Sequence, residues 1–148
     1  MLATANHQLR EVMIVYFPVF ATLSIFGENI NPHDWTVYFS ATPNIAISRG
    51  DPIKDPAGLN RRASHKNGLW GVNTKGLVTD CNLESHIVFL FGILKIPRYD
   101  LAKKILDSGG CARVCCHYDR EAVGMGPIIS ECIRQMLAQQ NIQLEISD

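Results

Sequence analysis

The run from Asn82 to Leu94 does most to decide what this chain can become. Asn82 can cap a helix, and Leu83, Ile87, Leu90, Phe91 and Leu94 then share one stripe at helical spacing. Val88, Phe89 and Ile93 widen that stripe nearly all round. A helix this apolar needs cover from its neighbours, so it is expected to be the most buried helix of the fold, ending before Pro97.

Strands supply much of that cover. From Val12 to Phe26 the residues are β-branched and aromatic, and Ala21-Thr22-Leu23-Ser24-Ile25 alternates apolar with hydroxyl, the pattern of a strand with one buried face. Pro18 has no N–H and should mark an edge, a bulge or a break. Asn31-Pro32-His33-Asp34 reads as a helix start, with Trp35, Tyr38 and Phe39 then on one face. Asn44 to Ser48 and Leu69 to Thr74 read as short strands, the latter carrying Trp70. A helix from Arg98 turns Leu101, Ala102, Ile105 and Leu106 inward and Lys103, Lys104 and Asp107 outward, and stops at Gly109-Gly110. Cys111 to Tyr118 is a strand with Ala112, Val114, Cys116 and Tyr118 on one face. Ser130 can cap a last helix carrying Ile133, Met136 and Leu137, and Ile142, Leu144 and Ile146 mark a final half-buried strand.

The expected class is therefore α+β, in the order β-α-β-β-α-α-β-α-β. One mainly antiparallel or mixed sheet should carry helices on at least one face. Residues 1–11 have no periodicity and are expected to be a flexible N-terminus, leaving 12–148 as one domain.

Fourteen basic residues balance fourteen acidic ones, so no whole-molecule field draws nucleic acid or an anionic membrane, and neither is expected as a partner. The best apolar run, Met13 to Phe26, falls short of the roughly 18 to 20 residues of a membrane span. Arg10 is followed at once by Glu11 and the run ends at Phe26-Gly27-Glu28, which fits no export signal. Five cysteines at irregular spacing suit free thiols in the cytoplasm better than a secreted disulfide framework.

Cys111, Cys115, Cys116 and His117 resemble a metal cluster only on paper. On a strand, Cys111 and Cys115 share a face but lie about 13 Å apart, and Cys116 points to the other face. No further Cys-x-x-Cys completes a tetrahedral set, so no metal is expected. A thiol nucleophile built from Cys115 with His117 or His86 would need hydrogen-bond contact and an orienting third group. His86, on its apolar helix, reads instead as a structural histidine. Gly124-Met125-Gly126 lacks the rest of a phosphate loop and reads as a turn. The expectation is no catalytic residue, no cofactor and no enzyme.

Arg49 to Gly68 stands apart. It holds Gly50, Pro52, Pro56 and Gly58 without apolar periodicity, and from Arg49 to Lys75 six basic residues face two acids. A loop this long in a small domain points to function. Arg49, Asp51, Lys54, Arg61, Arg62, His65 and Lys66 are the candidate partner-binding residues, suited to phosphate or an acidic protein.

Several short motifs recur in a telling order. Gly27-Glu28-Asn29-Ile30-Asn31-Pro32 is followed by Thr42-Pro43, Arg49-Gly50-Asp51-Pro52, Trp70 and Leu83-Glu84-Ser85-His86, then by the Cys115 strand, Gly124 and Gly126, and Ser130-Glu131. Over about residues 20 to 148 this resembles the bacterial domain-of-unknown-function family 4279. The chain departs from it in running Gly71-Val72-Asn73 after Trp70, where the family more often has a Ser-rich strand. The family brings no catalytic residues to carry over. By size and lack of chemistry such proteins resemble immunity proteins, which implies a binder of a cognate toxin. Two alternatives stand beside it: a small-ligand protein or enzyme with a pocket near Trp70 and Arg49 to Asp51, and a domain that self-associates as a homodimer through a strand edge.

Overall fold

Strand β1 (Val19–Gly27) occupies the middle of a five-stranded sheet in the computed structural model, which describes residues 15–54 and 63–148. The remaining elements are α1 (Pro32–Phe39), β2 (Ile45–Ile47), β3 (Gly68–Asn73), α2 (Leu83–Leu94), α3 (Leu101–Ser108), β4 (Cys111–Tyr118), α4 (Arg120–Val123), α5 (Glu131–Gln139) and β5 (Ile142–Ser147). The class is α+β as the patterning predicts, with one addition to the order: the short helix α4, which no apolar stripe announces.

The sheet runs β2-β3-β1-β4-β5 and is mixed. β1 pairs antiparallel with β3 and β4, β2 antiparallel with β3, and β5 parallel with β4. A parallel neighbour needs a crossover, and α4 and α5 provide it. β1 begins at Val19, directly after Pro18, so the strand expected from Val12 is shorter than its composition suggests; positions 12–14 and the N-terminal segment 1–11 lie outside the described residues. Pro18 has no N–H to donate, but its carbonyl accepts from the Asp119 amide at 2.8 Å.

The helix starts follow their capping residues. The Asn31 side chain accepts from the His33 amide with Pro32 at the first turn, Asn82 accepts from Glu84, and Ser130 accepts from Ile133. Register then fixes the faces. Val19, Ala21, Leu23 and Ile25 align with Trp70 and Val72 on one side and with Ala112, Val114, Cys116 and Tyr118 on the other, and all are buried. Leu83, Ile87, Leu90, Phe91 and Leu94 of α2 join the same core. Each fully enclosed leucine or isoleucine there contributes about 1.5–3 kcal/mol through burial.

Two apolar expectations are corrected. Val88 is 51% and Ile93 41% exposed, because α2 lies against the sheet on one side only and its outer face meets solvent. Leu106 is 71% exposed, since the short α3 docks through Leu101 and Ile105 alone. Gly68 is required where β3 passes the turn after β1: a Cβ there would come within 1.8 Å of the Ile30 carbonyl oxygen.

Candidate partner-binding surface

The loop between β2 and β3 is anchored at its base by backbone bonds. Gly50 N–H donates to His65 O and His65 N–H to Asp51 O, both at 2.8 Å, and Ile53 N–H donates to Ala63 O at 3.0 Å. The Asp51 carboxylate accepts from the Ser48 amide at 2.8 Å, so Asp51 closes the turn. Arg49 pairs with Glu28 at 3.3 Å, both side chains largely exposed. Arg49, His65 and Lys66 thus border one shallow concavity of about 580 Å³, with Glu28 on its rim. Lys54 is exposed beyond it, and Arg61 and Arg62 lie outside the described residues.

The sheet face turned away from the helices is the second component, and sequence reading passed over it. Phe20, Thr22, Ser24 and Phe26 of β1 align there with His117, Cys115, Arg113 and Cys111 of β4. Phe20 stacks on His117 with centroids 5.0 Å apart and carries Lys75 Nζ at 4.4 Å from its centroid. The Arg113 guanidinium lies 4.9 Å from the Phe26 centroid and pairs with Glu145 of β5 at 3.2 Å. Ile45 and Ile47 of β2 share this face with Leu69 and Phe26, and Arg49 and Glu28 follow two residues beyond Ile47 and Phe26. The bare face and the basic loop therefore adjoin at one end of the sheet. The signal was present in the alternation itself: the positions between the buried ones of β1 include two phenylalanines, more apolar than a merely solvated face needs.

The residues that looked most like chemistry lie on β4 and α2. Cys115 sits beside Glu145, at 3.5 Å, and burial first and that carboxylate next push its thiol up, the opposite of what a nucleophile needs. Burial pushes Cys116 up to about 12. His86 is fully buried, with Nδ1 and Nε2 bonded to the Thr74 hydroxyl and the Asp80 carbonyl. Trp70 is equally enclosed: its indole N–H donates to Thr36 at 3.0 Å, and Phe39 stacks on it at 5.1 Å. Among the described residues, no three His, Cys, Asp or Glu side chains converge to hold a metal ion, and no helix is long and apolar enough to cross a membrane.

A family model described as Domain of unknown function (DUF4279) matches residues 16–147, the stretch that runs from just before β1 to the end of β5. The chain belongs to the DUF4279 family. Comparison with curated proteins and with solved structures yields no match. The DUF4279 match covers the sheet, every helix and the basic loop alike, so the loop and the bare face belong to the domain.

Proposed function

We propose that this DUF4279 protein is a non-catalytic binding protein of the cytoplasm that neutralises a cognate toxin by protein–protein contact. One observation carries the reading: a sheet clothed by helices on a single side, whose other face mixes aromatic and charged side chains and runs into a basic loop. Aromatic residues and arginine are the types that anchor protein interfaces, and a partner burying roughly 800 Å² per side would span much of such a face. The Cys115 environment and the saturated His86 ring support a non-catalytic role. In this reading Arg49, Lys54, Arg61, Arg62, His65 and Lys66 form the basic edge of the contact and Asp51 holds the loop's turn.

The test begins with affinity capture of the tagged protein from its native cell and mass spectrometry of what co-purifies. The captured partner is then expressed in a naive host, where it should arrest growth unless this protein is present. Replacing Arg61 and Arg62 together with Ala should weaken the complex by roughly tenfold or more, through lost forked hydrogen bonds, and leave the melting curve in place. A captured partner that is harmless to the host, or recovery of this chain alone, would refute the toxin reading.

A further inference from the structure

At the other end of the sheet, where Val19 aligns with Tyr118, the surface has a different character. Two hollows adjoin there. One, of about 340 Å³, lies between Leu83, Tyr118, Val123, Met125 and Ile128. The other, of about 260 Å³, lies between Phe17, Pro18, Val19 and Val78. Cys81 borders both. The apolar surface continues outward: Ile128 is 69% and Leu77 62% exposed. An apolar region of this kind, gathered at one end of a small domain, is a mark of an interaction site.

Charge says what fits. The charged side chains bordering the hollows are acids, Asp80 and Glu84, with Asp119 and Glu121 close by in sequence to Tyr118 and Val123. Hydrogen bonds hold the Asp80 and Glu84 carboxyls below their ordinary values, so both stay charged. Of the nearby bases, Arg120 lies beside Gly126 of the first hollow but its guanidinium is bound by Asp148, and Lys75 lies over Phe20 on the bare sheet face. Apolar hollows under an acidic rim complement a segment that alternates apolar residues with lysine or arginine, and oppose an anionic membrane.

We infer that this end of the molecule is a docking groove for a basic amphipathic segment of a partner protein, two of whose apolar side chains enter the hollows on either side of Cys81. The groove stands on observations independent of the basic loop and holds whether or not the partner is a toxin.

Cysteine reactivity reads it directly, because three cysteines are exposed at separate places: Cys81 in the bend before α2, Cys111 at the start of β4 and Cys132 on α5. The probe is a short helix-forming peptide of leucine, lysine and alanine; its control carries glutamate in place of lysine. The lysine peptide should slow alkylation of Cys81 by iodoacetamide by roughly tenfold at ten times its Kd, leaving Cys111 and Cys132 unchanged. The control should have no effect, and Ile128→Ser, at an exposed position, should remove the protection without altering the melting curve. Unchanged Cys81 reactivity, equal protection by both peptides, or protection that survives Ile128→Ser overturns the inference. So does slowing by higher protein concentration alone, which names a second copy as occupant, or by neutral lipid vesicles, which names a membrane.

Discussion

His86 and Thr74 are bonded side chain to side chain at 2.6 Å, both fully buried. The Asp80 carbonyl can only accept, so Nε2 carries the ring hydrogen toward it and the Thr74 hydroxyl fills Nδ1. The same hydroxyl accepts from the Ala21 amide at 3.0 Å, tying β1, the turn after β3 and α2 together. Thr74→Val keeps the shape and strands two buried polar atoms, the Ala21 N–H and His86 Nδ1. It is expected to lower stability by about 2–5 kcal/mol, while Thr74→Ser keeps most of it. Urea denaturation with an unshifted midpoint for the valine variant would refute the network's role.

Helix α2 offers a contrast between two positions on one element. Leu90→Ala empties a fully buried site and should cost about 2–5 kcal/mol, whereas Ile93→Ala, on the outward face, should stay near 0.5 kcal/mol. Equal losses in chemical denaturation would mean that the helix is enclosed on both sides.

Acid should loosen the contact between α2 and α5. Ser130 donates both its hydroxyl and its amide to Glu84, and those bonds, the side-chain one first, hold the Glu84 carboxyl below its ordinary 4.5. A lowered folded-state pKa adds stability that is complete above the ordinary value and disappears as pH falls through the lowered one. The melting-temperature gap between wild type and Glu84→Gln should therefore be open at neutral pH and begin to close below pH 4.5. A gap independent of pH would show that the carboxylate charge plays no part.

The thiols should react in an order set by burial. In the native protein, Cys81, Cys111 and Cys132 should alkylate readily, Cys115 more slowly, and Cys116 only on unfolding. Thiol titration of the unfolded chain without reductant should count all five. Fast native labelling of Cys116 would contradict its place in the core.

Periodicity made much of this fold legible. Asn31, Asn82 and Ser130 each begin the helix they signal, and Ala112, Val114, Cys116 and Tyr118 share the buried face their alternation predicts. It failed where hydrophobicity and burial part company. Val88, Ile93 and Leu106 are as apolar as their buried neighbours, and only the one-sided placement of α2 and α3 leaves them outside. The surfaces were harder to read, because they are assembled from distant segments. Phe20 and His117, or Leu83 and Ile128, carry no local pattern that joins them, whereas the basic loop is contiguous and was visible as composition.

β1 leaves the ribosome before either of the strands that flank it. Its Thr22 waits for Asn73 on one edge, and its Ala21 for Cys116 on the other, about 95 residues later. At a synthesis rate of about 5–20 residues per second, the edge that takes β3 stays open for roughly 2.5 to 10 s and the edge that takes β4, with the phenylalanines beside it, for roughly 5 to 20 s. A strand so long unpartnered is a natural substrate for holding chaperones and a place where nascent chains can pair with one another. The choice of an early segment for the centre of the sheet thus ties the yield of folded protein to the speed of translation through residues 28–118.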